Sequence, residues 1–419
     1  MALSSTKKTT ISLYGLQISN LVIPLVIIPW LAIKLGIEQF GLYNFVFAII
    51  LYFNLLVDYG FNLTSTRDVA MHANNIQKTS EIFWVTVYAR FILFLASFTL
   101  LLLLGLFFNI IKSHFELYLL AFIGTVTSLL SPTFYFQGLG KLETPSFINL
   151  IVRIASLPLI FLYVRKPTDL TCAIALALLP GLIAAVTCIY LIIKNKLVIS
   201  VCISKKRIFS GLFSGLYPFI TSGLSSIYTG SYQIIIGLVL GNSAVATFAV
   251  ADKIIKALNA LITPVSMAVY HDISKLLVSD YFSLIKLLKS IITINLIIGL
   301  ILAFLIYFGY LDYIIIKVFS NKYSNSLYLL KTLAFGPLIF GLLQISYFVI
   351  IALKKEVYMS MIYGAVIIFS LPLQYILIRN STLLGTATLM ISTDFLIMSI
   401  ATILAVRTLR KSIKVYATK

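Results

Sequence analysis

Residues 82–108 read IFWVTVYARFILFLASFTLLLLLGLFF, and Arg90 is the single charged side chain among them. At about 1.5 Å per residue, a helix of this length is roughly 40 Å long, which exceeds the roughly 30 Å hydrocarbon thickness of a bilayer. A barrel strand would instead be a short segment of alternating polar and apolar residues. The stretch therefore predicts a helix that crosses a membrane.

The rest of the chain has the same apolar character. Of the 419 residues, 60% are hydrophobic and 11% are charged, whereas soluble globular proteins have roughly 45–50% and 25%. This composition excludes a water-soluble fold and a disordered chain. We predict an all-α integral membrane protein with about twelve transmembrane helices and no room for a soluble catalytic domain. The predicted spans are 11–33, 42–64, 82–108, 117–137, 146–164, 170–193, 210–240, 244–270, 284–310, 328–352, 357–378 and 383–406.

The basic residues predict the orientation in the membrane. The formal net charge is +19, but a nucleic-acid-binding protein would cluster its lysines and arginines on one solvated face. Here most of them flank apolar runs, as expected beside anionic lipids. With a cytoplasmic N-terminus, 20 lysines and arginines lie on the cytoplasmic side and 7 on the other side. We therefore predict that both termini are cytoplasmic.

A short repeat predicts two lobes. Leu35-Gly36 follows the first predicted span, with Tyr43 seven residues beyond the glycine. Leu240-Gly241 follows the seventh span, with Phe248 at the same spacing, and the offset of 205 residues is nearly half the chain. We predict two pseudo-symmetric lobes of six helices joined by a basic cytoplasmic loop. The predicted N-terminal lobe, loop and C-terminal lobe are 1–195, 196–208 and 209–419.

Eight charged residues fall inside the predicted spans. The cations are Arg90, Arg153, Lys253, Lys256 and Lys331, and the anions are Asp58, Asp252 and Asp394. A charge at the bilayer centre costs about 2.5–3.5 kcal/mol on insertion scales, so such residues should face a hydrated or paired interior. Because cations outnumber anions, we expect an anionic cargo. Lys331 lies near the end of its span, where it can instead reach the lipid headgroups.

Four of these cations are the predicted cargo-binding residues of a central cavity. They are Lys253, Lys256, Arg90 and Arg153. For the two arginines, extension toward the membrane surface is an equal alternative. Asp252 precedes Lys256 by four residues, so the two can form an ion pair on one helical face.

Small polar residues follow one side of two predicted helices. The predicted polar residues of the cavity are Thr221, Ser225, Tyr232 and Asn259. Opposed polar stripes would create a hydrated path. The alternative is ordinary hydrogen bonding between helices, which is common in membranes.

Three aspartates are candidates for ion coupling or charge pairing. Asp58, Asp252 and Asp394 lie in otherwise apolar spans, where a carboxyl group can take up and release a proton. They could couple transport to H⁺ or Na⁺, or simply neutralise a basic residue. We predict no metal site and no cofactor beyond a possible coupling ion, because the three cysteines and three histidines lack ligand spacing.

Two motifs at the ends of predicted spans point to a family. The second span ends in Asp58-Tyr59-Gly60-Phe61-Asn62 and the fourth in Phe134-Tyr135-Phe136-Gln137-Gly138. Together with Leu35-Gly36 and Phe40-Gly41-Leu42-Tyr43, their order resembles the polysaccharide-flippase family of the MOP exporter superfamily, especially Wzx-type O-antigen flippases. The resemblance covers essentially the whole chain. The chain departs from the family at Phe134, where tryptophan is frequent, and at Gly140, where glutamate is frequent.

The resemblance implies a MOP/MATE-like fold and a multi-pass flippase of the bacterial inner membrane. Such a flippase would move undecaprenyl-diphosphate-linked O-antigen repeat units from the cytoplasmic to the periplasmic leaflet by alternating access. The implied partners are this lipid-linked oligosaccharide, membrane lipids and a polysaccharide polymerase or other assembly protein, with no nucleic acid. A cationic cavity suits this cargo, because it would replace the hydration that a diphosphate loses inside a membrane.

Three alternatives stay open. A multidrug or organic-cation antiporter of the MATE type would also have twelve spans, but it should present acids to its cargo. A membrane enzyme of polysaccharide assembly, such as a polymerase, commonly has a large extracytoplasmic loop, whereas every predicted outer loop is short. A scaffold protein would have no reason to bear intramembrane charges. We therefore expect a transporter and not an enzyme.

Overall fold

The computed structural model describes residues 2–268, 273, 276–277, 280–353, 355–380 and 383–417, and this part of the chain consists of helices joined by short turns and loops. Helices satisfy the backbone hydrogen bonds of apolar segments internally, as lipid requires. This confirms the predicted all-α fold. The first ten helices are α1 Ala2–Asp58, α2 Phe61–Met71, α3 Ile76–Phe107, α4 Asn109–Lys112, α5 Phe115–Phe122, α6 Gly124–Leu130, α7 Thr133–Gly138, α8 Glu143–Tyr163, α9 Leu170–Lys194 and α10 Lys205–Leu240. The others are α11 Asn242–Ala268, α12 Tyr281–Tyr307, α13 Asp312–Phe319, α14 Ser324–Thr332, α15 Gly336–Ala352, α16 Val357–Asn380 and α17 Leu383–Ala417.

Within the described residues, nine helical segments are long and apolar enough to cross a membrane, and a pair bent by 48° at α14 and α15 raises the number to ten. One of the nine, Ile23–Met71, contains the end of the predicted span 11–33 and the whole of the predicted span 42–64. Helix α11 coincides with the predicted span 244–270 but contains three charged residues, so it falls outside this set. Twelve spans and cytoplasmic termini stay predictions.

Three predicted spans are interrupted, and local chemistry explains two of the breaks. The span 42–64 breaks at Tyr59 and Gly60, which have left-handed backbone angles φ of 44° and 76°. The span 117–137 consists of α5, α6 and α7, and the last break lies at Ser131 and Pro132, where proline lacks a backbone N–H. The span 328–352 is divided between α14 and α15. The breaks place irregular backbone next to charged side chains.

The chain forms two compact units, Met1–Gly223 and Leu224–Lys419, and the boundary lies within α10. In the first unit, aromatic residues of α7 pack with α3 and α9 around Phe83, Phe134 and Cys188. The predicted lobes 1–195 and 209–419 with their loop 196–208 stay a prediction.

Candidate functional site

The first unit contains a buried ion pair at the break between α1 and α2. Arg90 of α3 has a side chain that is 1% exposed, and its Nη2 lies 3.1 Å from Asp58 Oδ1. Nη2 also donates to Asn62 Oδ1 at 3.1 Å, and Nη1 donates to the Ser131 carbonyl at 2.8 Å. The guanidinium lies over the Phe134 ring at 5.3 Å. We call Asp58, Asn62, Arg90, Ser131 and Phe134 the N-terminal cluster.

This cluster joins the two sequence motifs. Asp58 and Asn62 come from the first motif and Phe134 from the second, so Arg90 holds both. Helix α2, which begins in the first motif, also contacts the second motif, because its Thr66 Oγ1 donates to the Phe134 carbonyl at 3.2 Å. Gly138 leaves room for Val69, whose Cβ would lie 2.6 Å from a β-carbon added there. The motifs are therefore the residues by which α2 and α7 pack on α3.

The contacts of Asp58 and Arg90 favour charge pairing, one of the alternatives that the sequence left open. The hydrogen bonds of both Arg90 terminal nitrogens go to protein atoms, and a fork of this kind suits a planar guanidinium. Because the Arg90 side chain is 1% exposed, a phosphate could reach it only after the surrounding protein groups move. A direct role of Arg90 in cargo binding and of Asp58 in ion coupling stays a prediction.

The second unit contains a different pair on α11. Lys256 Nζ lies 2.7 Å from Asp252 Oδ2, which is the ion pair that the spacing of four residues predicted. The Asp252 side chain is 4% exposed, whereas the Lys256 side chain is 56% exposed. Gln233 of α10 points its Nε2 toward the same carboxylate at 3.5 Å. Lys253 is half-buried and interacts electrostatically with both Asp252 and Lys256.

Asp394 of α17 belongs to the same group of charges. Its carboxylate lies within electrostatic range of Asp252 and Lys256, and Oδ1 accepts a hydrogen bond of 2.7 Å from the Tyr228 hydroxyl. We call Asp252, Lys253, Lys256 and Asp394 the C-terminal cluster. In this cluster the Lys256 side chain is exposed, whereas protein groups hold the acids Asp252 and Asp394 in place.

A buried hydrogen-bonded network supports Asp394. The Tyr228 and Tyr232 hydroxyls lie 2.7 and 3.0 Å from Thr393 Oγ1. Ser231 donates to Gln374 Oε1 at 3.1 Å, which ties α10 to α16. Such a network fixes the position of the carboxylate, because each partner is itself held.

The remaining residues that were predicted to line the cavity differ in burial and in their contacts. Tyr232 is fully buried, which agrees with hydrogen bonding between helices. Thr221 is half-buried and donates to the Tyr217 carbonyl of its own helix, and Ser225 and Arg153 are also half-buried. The buried Oδ1 of Asn259 has no hydrogen-bond partner among the described residues. Their contact with cargo stays a prediction.

One argument from the sequence needs correction. Lys331 pairs with Asp312, with Nζ 2.9 Å from Oδ2, and Asp312 lies outside the spans that were used to count the anions. Including it leaves five cations and four anions, a formal charge of +1 instead of +2. The charge excess that points to an anionic cargo is therefore smaller than the sequence suggested.

Sequence reasoning missed Gln233, Thr393 and Gln374. Thr393 directly precedes Asp394, and Gln233 follows Tyr232, so neighbouring positions carried a signal for two of them. Gln374 stands alone in an apolar span, and its contact with Ser231 connects residues 143 positions apart. Among the described residues, no three His, Cys, Asp or Glu side chains are grouped to hold a metal ion.

Comparison with known proteins identifies relatives along most of the chain. The family described as polysaccharide biosynthesis protein matches residues 6–277. A protein of Escherichia coli (strain K12) named "Putative O-antigen transporter" is 27% identical over 339 residues, 81% of this chain and 81% of that protein.

Two solved structures show the same fold. The lipid II flippase MurJ in an inward closed conformation has a TM-score of 0.73 and 14% identity, covering 98% of this chain and 92% of its own. An inward-facing MATE family transporter of the MOP superfamily has a TM-score of 0.70 and 14% identity, covering 95% and 96%. These proteins are transporters or flippases, which agrees with the expectation that the chain is not an enzyme. Because the family match covers more than half of its length, this multi-pass membrane protein belongs to the polysaccharide biosynthesis protein family, with a MOP-superfamily transporter fold.

Proposed function

We propose that the protein is a flippase for undecaprenyl-diphosphate-linked O-antigen repeat units. It moves them from the cytoplasmic to the periplasmic leaflet of the bacterial inner membrane by alternating access. The family match and the relative named as an O-antigen transporter support a polysaccharide cargo. A polysaccharide polymerase or another assembly protein would then receive the translocated unit.

The C-terminal cluster is the observation that carries this proposal. A diphosphate that enters the membrane loses its hydration, and an uncompensated charge there is costly. Lys256 can compensate, because its side chain is exposed although its ammonium group is paired with the buried Asp252. Lys253 lies three residues before it on α11 and is half-buried, and its ammonium group would add a second positive charge. Together the two lysines would bind the diphosphate while the polyprenyl tail stays in lipid.

Arg153 is the remaining candidate cargo ligand. It is half-buried on α8, where its charge would add to the attraction of an anionic headgroup. Arg90, in contrast, would act by holding the N-terminal cluster together. This division assigns binding to exposed or half-buried cations and packing to the fully buried Arg90.

Asp394 is the proposed coupling residue. Net movement in one direction requires an energy source or a difference in affinity between two states. Asp394 is half-buried and bonded to Tyr228, and it interacts electrostatically with Asp252 and Lys256. Binding of H⁺ or Na⁺ at this carboxylate would therefore change the charge that the diphosphate meets at Lys256.

A second candidate function is organic-cation export, as in a MATE-type antiporter. The acids Asp252 and Asp394 in the same cluster favour it, because a cation could bind between carboxylates. Flux of a cationic dye through the purified protein in vesicles distinguishes the two functions. An O-antigen flippase should leave the dye gradient unchanged.

The experiment deletes the gene and measures lipid-linked repeat units on the cytoplasmic leaflet. We expect them to accumulate, and we expect the native gene to clear them. The double variant Lys253→Ala/Lys256→Ala should fail to restore transport, whereas Lys331→Ala, which removes another paired lysine of the same unit, should restore it. Absence of accumulation would contradict the proposed cargo. Full rescue by the double variant would contradict the site and leave the transporter class intact.

A further inference from the structure

The first unit contains a cavity of about 450 Å³ between α2, the beginning of α3 and the beginning of α10. Its volume lies within the range of roughly 300–1,000 Å³ that is usual for small-molecule sites. It is separate from the N-terminal cluster, because Asp58 and Arg90 do not line it. The proposed roles of the charge clusters therefore leave this cavity without a function.

The segment that leads into α10 is docked against α3 by specific contacts. Ile199 N–H donates to Ser80 Oγ at 3.0 Å, and the Trp84 indole N–H donates to the Ile199 carbonyl at 3.0 Å. The Arg207 Nε lies 3.0 Å from Glu81 Oε1. These contacts hold the first turns of α10 beside α3, so the cavity is a built feature of the unit.

The charges that line the cavity are balanced. Asp68 and Glu81 are its acids, Lys78 and Arg207 are its charged bases, and His72, neutral in the formal charge count, adds an imidazole ring. The acid side chains are 34% and 30% exposed, so they can accept hydrogen bonds from a ligand. Two acids and two charged bases give the lining itself no excess positive charge for an isolated phosphate, and Asp68 also pairs with Arg67 beside the cavity at 3.2 Å. Its charged groups also make it unsuitable for a polyprenyl chain.

Hydroxyl groups complete the lining. Ser65 Oγ and Thr86 Oγ1 are 2.8 Å apart, and Ser214 contributes a further hydroxyl. The accessible apolar surface comes from Met71 and Val85, whereas Phe61 is buried behind the lining. The cavity thus combines hydrogen-bond donors, acceptors and an apolar surface, the three features that a sugar ring with its hydroxyls and C–H faces can use together.

We propose that this cavity binds a neutral sugar residue of the cargo. The proposal rests on the proposed flippase function and deepens it, because it assigns the saccharide to a site other than the lysines that bind the diphosphate. With the predicted cytoplasmic N-terminus, Lys78 and Arg207 are among the 20 basic residues on the cytoplasmic side. The cavity would then open on the side where the repeat unit is loaded. It therefore selects the oligosaccharide before translocation.

The test measures binding of the free oligosaccharide, released by mild acid from the host's own lipid-linked repeat unit, to the purified full chain. Saturation-transfer NMR and calorimetry report on binding without any lipid or diphosphate. Ser214→Trp fills the cavity and should abolish the saturation transfer. Ser204→Trp is the matched control, because Ser204 is exposed and outside the lining, and it should bind like the native protein.

Isosteric variants protect the test against misfolding of the tryptophan variant. Asp68→Asn and Glu81→Gln keep the side-chain shape and remove a charged acceptor, and each should weaken binding about tenfold. Inorganic pyrophosphate should not compete with the oligosaccharide. Competition by pyrophosphate would overturn the proposal, since the cavity would then be an anion site.

Transport measurements separate this inference from the proposed function. Suppose that the native protein flips the lipid-linked repeat unit but Ser214→Trp and both isosteric variants bind free oligosaccharide normally. The proposed sugar site is then contradicted, whereas the proposed flippase function is supported. If the native protein binds neither free oligosaccharide nor lipid-linked repeat unit, both are wrong. Loss of binding in the cavity variants, with binding kept in Ser204→Trp, supports the assignment.

Discussion

The N-terminal and C-terminal clusters both place an acid beside a base within apolar helices, yet they differ in exposure. The Arg90 side chain is 1% exposed and that of Lys256 is 56% exposed. The acids show the reverse order, with Asp58 35% and Asp252 4% exposed. In the first unit the base is buried by protein, whereas in the second unit the buried acid holds a base that a ligand can reach.

This difference separates packing from binding. A buried charge is tolerated when hydrogen bonds satisfy it, and both terminal nitrogens of Arg90 bond to groups from α1, α2 and the α6–α7 break, although its buried Nε has no partner among the described residues. An exposed lysine contributes little to stability, so Lys256 is available for another purpose. Charge type alone does not distinguish the two roles, because accessibility decides between them.

The largest expected effect is on the stability of the first unit. Arg90→Ala removes the base that joins both motifs and leaves polar groups of three chain segments without their partner. We expect a loss of about 3–5 kcal/mol in the free energy of unfolding, measured as a lower thermal midpoint in detergent. Arg90→Lys keeps the charge but not the planar set of N–H donors, so the loss in the free energy of unfolding should be smaller. An Arg90→Ala protein with native stability would contradict the packing role.

The next largest effect on stability is expected at Gly60, in the break between α1 and α2 that positions Asp58. A β-carbon at Gly60 would lie 2.7 Å from Pro218 Cβ and 3.0 Å from the Phe219 backbone nitrogen, and φ is 76°. Gly60→Ala should therefore cost about 2–4 kcal/mol from backbone strain and overpacking. Gly140 is the matched control, with φ of 69° and no atom within 4 Å of an added β-carbon. Gly140→Ala should lower the thermal midpoint clearly less, and equal losses would show that packing at Gly60 is unimportant.

A smaller effect is expected on the coupling of transport to an ion gradient, which we assign to Asp394 of the C-terminal cluster. Asp394→Asn keeps an oxygen that can accept from Tyr228 but removes the group that can bind H⁺ or Na⁺. Transport into vesicles should fall about tenfold under an imposed ion gradient, equivalent to about 1.4 kcal/mol. Transport without a gradient should change little. A variant that still responds to the gradient like the native protein would exclude Asp394 as the coupling residue.

The smallest effect is expected at the other paired lysine of the second unit. Lys331→Gln breaks the contact with Asp312, and both side chains are partly exposed, at 40% and 24%. Partly exposed ion pairs contribute about 0–1 kcal/mol, so both the thermal midpoint and the transport rate should stay near native values. A large loss of transport here would mean that any lysine of this unit matters, which would weaken the assignment of Lys256.

The sequence was sufficient for the helical membrane fold and for the pair at Asp252 and Lys256. Apolar length predicts helices in lipid, and a spacing of four residues places two side chains together on one helix. The sequence was insufficient to identify the ion-pair partner of Arg90, because Asp58 lies 32 residues away on another helix. The choice between cavity and packing roles depends on such long-range contacts.

The central claim is that Lys256 and Lys253 bind the diphosphate of the cargo. The most direct measurement is the affinity of purified protein in nanodiscs for undecaprenyl diphosphate, compared among native, Lys253→Gln/Lys256→Gln and Lys331→Gln proteins. Glutamine at 256 keeps a donor for Asp252 while it removes the charge. We predict about 10- to 100-fold weaker binding by the double variant and native affinity for Lys331→Gln. Equal affinities of all three proteins would contradict the account.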